Sequence, residues 1–502
     1  MTGAGLLVAG ATSDAGKTVV TTALCRAFAR RGVRVAPYKA QNMSNNSMVI
    51  AGGAEIGRAQ WVQAVAARVE PEAAMNPVLL KPGSDHSSHV VVMGAPAGRL
   101  RAGEFANGRR QLARAAFDAF DDLRSRHDVV VCEGAGSPAE INLRDGDYVN
   151  MGLARHAGLP TVVVGDIDRG GVLAAFFGTV ALLDADDQAL LAGFVVNKFR
   201  GDLGLLRPGL DELERITGRR IHGVLPWLSE LWLDAEDALA LQERTAPGDG
   251  SRSPSGETLQ VAVVRFPRIS NFTDLDALAI EPNLAVRFVD DPRGLAGADA
   301  VVLPGTRATL DDLAWLRARG LADAIARHVA AGGVALGICG GYQMLGEAVA
   351  DPEGVEGHPG AAAPGLGLLA AQTRFHRGKA LRLASGEALG APASGYEIHH
   401  GQVTVSGGEP FLDGVRDGAV FGTLWHGVFE GDAFRRAWLV EVARLRGASG
   451  FQVGDVSFAQ LRQEWIDRLA DAAEEHLDVD ALLDLARDGA PQALPVIRGG
   501  RA

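Results

Sequence analysis

No apolar run in this 502-residue chain approaches the ~18 residues needed to cross a bilayer, so a membrane-spanning helix is not expected. Cysteine is scarce. Cys25, Cys132 and Cys339 form no CxxC pair and no disulfide framework, which excludes a disulfide-stapled scaffold and suits a reducing cytoplasm. Positive charge is also in deficit: 49 Lys and Arg face 61 Asp and Glu, a formal net charge of −12. Bulk electrostatics therefore gives no attraction to nucleic acid or to an anionic membrane, and a negatively charged small substrate would need a locally basic pocket. No basic region precedes Leu6-Leu-Val-Ala-Gly10, so a leader peptide is not expected. The histidines up to His89 lack metal-ligand spacing, and no internal repeat is present.

The chain is too long for one ordinary domain, and its 47% hydrophobic and 22% charged residues are a normal globular mixture. Short apolar runs alternate with helical patterns throughout the first half, which predicts a doubly wound, mostly parallel α/β domain over residues 1–244. Between the first strand and the first helix lies Gly10-Ala-Thr-Ser-Asp-Ala-Gly-Lys-Thr18. A glycine-rich loop in that position presents backbone N–H groups and a helix amino terminus to phosphate oxygens. Asp14 and Gly16 belong to this nucleotide-binding loop, Lys17 supplies a mobile positive charge, and Thr18 offers a hydroxyl to Mg²⁺. The loop has one more residue between its glycines than GxxxxGK[ST]. The strand Asp128-Val-Val-Val-Cys-Glu133 ends in a carboxylate facing that loop, where Glu133 serves either as a second Mg²⁺ contact or as an acidic strand-end cap. Asn197, ending a later strand, is placed to offer an amide to a base or phosphate. Gln41, Asn42 and Asn45 lie in a polar run after the second strand, at the sheet edge where open α/β folds bind ligands. With Arg144 and Asp147 they are the candidate substrate pocket.

Residues 245–257 have a linker composition rich in Gly, Ser and Pro. New strands beyond it predict a second parallel-sheet domain over 258–450, followed by a helical extension at 451–502 with periodic Leu461, Trp465 and Leu469, expected to pack on that second domain. Its focus is Gly337-Ile-Cys-Gly-Gly-Tyr-Gln343, a cysteine on a sharp turn between a buried strand and a helix. Such a turn exposes a nucleophile and brings backbone N–H groups to a developing oxyanion. Gly305, at the end of a neighbouring strand, either supplies a further oxyanion N–H or only makes a turn. A thiol needs a base or a lowered pKa to attack well, and His426, in Thr423-Leu-Trp-His426, is the candidate base. Adjacent His399 and His400 point to opposite faces of a strand, which disfavours a metal site.

The modified phosphate loop with Glu133-Gly-Ala-Gly136 resembles the dethiobiotin synthetase-like ATPases. Gln41-Asn-Met43, Glu55-Ile-Gly-Arg-Ala-Gln60, Asn76-Pro-Val-Leu-Leu-Lys-Pro82, Glu140-Ile-Asn-Leu-Arg-Asp145 and Asn197-Lys-Phe-Arg-Gly-Asp202 are similar to the cobyric acid synthase family, glutamine-hydrolysing amidases of the cobalamin pathway. That subfamily carries the same extra loop residue. The second half resembles class I glutamine amidotransferase domains, with Cys339 matching their nucleophile and His426 their base. The resemblance implies ATP, Mg²⁺ and glutamine as reactants. Gly305, Gly341 and Gln343 would form the oxyanion and glutamine pocket. It also implies a small-molecule corrinoid substrate, amidated at four carboxylates, and a cytoplasmic enzyme with no membrane or nucleic-acid partner. Oligomeric state stays open. The usual pattern places Glu two residues after the histidine, but that position is Val428, so a Cys–His dyad is expected, with Glu430 an open choice for an orienting group. Two alternatives are the sister enzyme that amidates the a and c positions and a P-loop switch ATPase with a degenerate second domain. The long motifs from Gln41 to Asp202 fit the first less well. The lack of lysine from Ala11 to Ala15 and the presence of Cys339 with His426 argue against the second.

Overall fold

The computed structural model describes residues 3–84, 87–101, 105–228 and 257–497. Two parallel sheets organise it. The first has six parallel strands in the order Arg220–Pro226, Leu191–Phe199, Thr161–Asp166, Ala4–Gly10, Val129–Glu133, Val35–Tyr38. Ala4–Gly10 is central, and Leu6, Leu7, Val8 and Ala9 are buried on both faces, as a helix-covered parallel strand requires. The chain leaves this strand at the switch in strand order, where such sheets open a crevice. The helix Lys17–Arg30 follows.

The second sheet has seven strands: Leu284–Val289, Leu259–Val264, Ala300–Leu303, Val334–Ile338, Val420–Thr423, Gly414–Asp417 and Glu409–Phe411. Its first five are parallel, and the last two form an antiparallel hairpin at one edge. Both sheets thus have the doubly wound, mostly parallel plan read from the sequence. The linker reading at residues 245–256 lies outside the described residues.

Two features differ from expectation. A long antiparallel ribbon, Ala371–Ala388 with Ala391–Val405, reaches across to the first half, where Tyr396 and Ile398 bury Val49. Its outer half is mixed polar and apolar, so alternation there is too weak to read. The helix Phe458–His476 does not pack on the second unit alone. Phe458 and Trp465 join Trp438 and Phe429 there, but Ile466, Leu469, Ala470 and Ala473 pack with Val20, Leu24 and Phe28 of the first unit. Arg30 strengthens that seam with ion pairs to Asp467 at 2.8 Å and Asp471 at 2.6 Å. The helical period identified a buried face but not which partner would cover it.

Candidate active site

The strand Val334–Ile338 ends at Cys339, whose φ of 50° and ψ of −109° place a non-glycine residue in a strained conformation. The surroundings enforce it. A Cβ on Gly341 would lie 1.9 Å from the Leu303 carbonyl oxygen, and one on Gly337 would lie 2.5 Å from the Tyr342 backbone. Gly341 therefore acts through close packing of the elbow. Cys25 and Cys132 are also buried, and burial pushes both thiols up, away from reactivity.

The His426 imidazole lines the same narrow pocket as the Cys339 side chain. Its Nδ1 lies 2.7 Å from Oδ2 of Asp274, whose Oδ1 accepts the Gly427 N–H at 2.8 Å. All three side chains are buried. Burial alone would push the imidazole down, but Asp274 and Cys339 outweigh it and raise its pKa to about 10. An imidazolium beside a cysteine favours the nucleophilic thiolate. Cys339, His426 and Asp274 are grouped in the order of a Cys–His–Asp triad, and the sequence pattern did not mark the third member. Asp274 sits 152 residues before His426, on the turn Phe272–Leu275, so spacing gave no cue. Its only sequence signal is a carboxylate in the short polar stretch Ser270-Asn-Phe-Thr-Asp274 beyond the strand Leu259–Val264. Glu430 is not the orienting group, because it pairs with Arg58 at 2.5 Å and Arg462 at 2.9 Å.

Gly305 lies against this triad, where a Cβ would approach His426 Cε1 to 2.7 Å. Gln343 lines the same narrow pocket, together with Thr306, Arg307, Glu356, Lys379, His400 and, from the first half, Lys81. The Gln343 Oε1 accepts from the Thr309 hydroxyl at 3.3 Å, while its buried Nε2 has no partner among the described residues. His399 and His400 both line the pocket, and no group of three metal-ligating side chains occurs among the described residues.

At the first sheet, Gly16 has φ 96°, and the Asn197 Nδ2 donates to the Ala15 carbonyl at 3.0 Å. That bond ties Asn197 to the phosphate loop. Asp14 also has positive φ, and Arg169 approaches it at 3.9 Å. The Lys17 ammonium bridges the Thr12 and Gly136 carbonyls at 3.3 Å each. Thr18 donates to Glu133 Oε1 at 2.8 Å, which also faces the Lys39 ammonium at 2.9 Å, and Gln63 donates to Oε2 at 2.5 Å. Burial would raise the Glu133 pKa, but Lys39, Gln63 and Thr18 together hold it below the ordinary range. An ionised carboxylate beside a hydroxyl is a hard oxygen donor set of the kind that suits Mg²⁺ shared with nucleotide phosphates.

A cavity of about 1010 Å³ opens from this loop. Gln41, Asn42, Asn45, Arg144 and Asp147 all line it, as do Asp14 and Lys17. Several are already engaged. Arg144 forms a bidentate pair with Asp187 at 2.7 and 2.8 Å, and Asp147 caps the backbone N–H groups of Val149, Asn150 and Gly152. Asn42 donates to Gln60, and Gln41 accepts from the Tyr148 hydroxyl. The far wall belongs to the second unit, including Arg265, Arg268, Phe272 and Trp315. The cavity and the Cys339 pocket lie back to back. Pro82, Ile269 and Phe272 face the former, while Lys81, Ser270 and Asn271 face the latter. Asn271 ties the halves together by accepting the Ser47 N–H at 3.1 Å, and Thr273 donates to Asn46 at 2.9 Å.

Fold and site together define a glutamine amidotransferase unit joined to a phosphate-loop nucleotide-binding unit. Residues 260–434 match the CobB/CobQ-like glutamine amidotransferase domain, and residues 6–240 match the CobQ/CobB/MinD/ParA nucleotide binding domain. The chain is 64% identical over 501 residues to a cobyric acid synthase of Mycolicibacterium gilvum (strain PYR-GCK), covering 99% of both chains. It is 64% identical over 503 residues to that of Mycobacterium tuberculosis (strain ATCC 25618 / H37Rv), again covering 99% of both. The chain belongs to the cobyric acid synthase family. It is an enzyme, a ligase that contains a glutamine amidotransferase domain.

Proposed function

We propose that this enzyme amidates the b, d, e and g carboxylates of adenosylcobyrinic acid a,c-diamide, giving adenosylcobyric acid, with one ATP and one glutamine used per amide. The observation that carries this reading is the shared wall between the two sites. One cavity joins the phosphate loop to a polar loop large enough for a bulky substrate, and the triad lies directly behind it.

A carboxylate resists attack by an amine, so its oxygen first takes the γ-phosphoryl group of ATP and ADP leaves. Lys17 balances the charge that develops on the phosphates during this transfer. Thr18 and Glu133 would hold Mg²⁺, which supplies further charge neutralisation there. In the second unit the Cys339 thiolate attacks the side-chain amide carbon of glutamine. His426 gives its proton to the departing nitrogen, so ammonia leaves and a glutamyl thioester remains. Water then hydrolyses the thioester, His426 taking a proton from it, and glutamate is released. Asp274 holds the imidazole in orientation and balances its charge. Ammonia passes the wall formed by Lys81, Pro82 and Ile269 to Asn271, attacks the acyl phosphate and displaces inorganic phosphate. Gln41, Asn42, Asn45, Arg144 and Asp147 line the substrate side, the last two mainly by fixing their loop. No helix among the described residues is long and apolar enough to cross a membrane, and the three free thiols suit the cytoplasm.

The test is mass spectrometry after incubation with ATP, Mg²⁺, glutamine and the a,c-diamide. Four successive replacements of OH by NH₂ are expected, and an unchanged mass overturns the reading.

A further inference from the structure

The Cys339 pocket contains more charge than its triad uses. Lys81 lies 2.6 Å from Glu55, and Lys379 contacts the other oxygen of the same carboxylate, so both lysines are already engaged. Arg307 and Glu356 are different. The Arg307 side chain is 11% exposed, and among the described residues its one side-chain partner is Glu356, at 3.5 Å through a single nitrogen. A guanidinium has five N–H donors, and a buried one normally has several of them occupied. Glu356 uses one oxygen to accept the Thr309 N–H at 2.8 Å. The buried Nε2 of Gln343 has no partner among the described residues in the same pocket.

We propose that Arg307 and Glu356 form the recognition site for the backbone end of glutamine, a role that rests on Cys339 acting as the glutaminase nucleophile. Arg307, assisted by the Nε2 of Gln343, takes the α-carboxylate, and Glu356 takes the α-ammonium. Free glutamine is a zwitterion, so a pocket selective for it over peptide-bound glutamine needs one cation and one anion beside the nucleophile. This pair lies beside the nucleophile in the same pocket, and its own contact is the looser one, 3.5 Å against the 2.6 Å of Lys81 with Glu55. The two side chains face each other loosely, at 3.5 Å. Substrate exchanges that contact for two charge-assisted ones. Burial raises the Glu356 carboxyl to about 7, in keeping with a group whose proper counter-charge arrives with the ligand.

The test compares three amides on Arg307→Ala and Glu356→Gln, with each rate normalised to the same variant's ammonium-dependent turnover. The amides are L-glutamine, glutaramate (no α-amino group) and 4-aminobutanamide (no α-carboxylate). Arg307→Ala should lower kcat/KM for glutamine and glutaramate about a hundredfold, within the range for a buried charge pair. It should leave the already poor 4-aminobutanamide rate little changed. Glu356→Gln should show the reverse preference, affecting glutamine and 4-aminobutanamide but not glutaramate. Equal losses for all three amides would mean that the pair only supports the pocket and would overturn the proposal. Unchanged glutamine kinetics would overturn it as well. Failure of Cys339→Ser to abolish glutamine use would strike the underlying reading, which separates the two outcomes.

Discussion

Asp274 and His426, 152 residues apart, meet at 2.7 Å inside the second unit, and the imidazole held by this contact lines the same pocket as Cys339. Both carboxylate oxygens are engaged, one by the imidazole and one by the Gly427 N–H, so the orientation is fixed.

Asp274→Asn should therefore reduce glutamine-dependent amidation about a hundred- to ten-thousand-fold, the scale seen when an orienting carboxylate is lost from a triad. Ammonium-dependent amidation should persist. The sign of the pH effect follows from the raised pKa of about 10. The imidazolium is present below that value and is lost as pH rises through it. Without Asp274, burial pushes the imidazole down, so alkylation of Cys339 by iodoacetamide should change its pH profile at lower pH. An unaltered profile would show that Asp274 does not charge the base.

Gly305→Ala places a methyl group 2.7 Å from His426 Cε1 and 3.0 Å from the Ser270 hydroxyl. Displacing the imidazole should cut glutamine-dependent turnover at least tenfold, read against ammonium-dependent turnover. Equal use of both nitrogen sources would mean that the site absorbs the methyl group.

Lys17→Ala removes the loop cation. Amidation should be lost with glutamine and with ammonium alike, by two orders of magnitude or more on the scale of a lost transition-state charge contact, about 3 kcal/mol. Normal turnover would remove the phosphate-loop assignment.

Ile466→Ala tests the seam between the carboxyl-terminal helix and the helix Lys17–Arg30. Ile466 is fully buried there. Chemical denaturation should show about 2–4 kcal/mol lost from the transition that reports on the first unit. If only the second unit is destabilised, the packing is assigned to the wrong partner.

The parallel strands were legible because both of their faces are buried, leaving short apolar runs between glycine turns. The loop Gly10 to Thr18, Cys339 and His426 were legible because their chemistry is local: a loop before a helix, a thiol on an elbow, an imidazole after a strand. Asp274 was not, since a triad's third member is chosen by tertiary proximity. Glu430 looked suitable only because it is close in sequence to His426, and in space Arg58 and Arg462 claim it. Asn197 lies at the loop, where its amide nitrogen holds the Ala15 carbonyl. Side-chain direction of that kind is not written in strand periodicity.

Cys339→Ser, assayed with glutamine and separately with ammonium salts, tests the central claim that one unit makes ammonia and the other consumes it. No amidation with glutamine and undiminished amidation with ammonium is the predicted result. Amidation from glutamine that survives the substitution would contradict it.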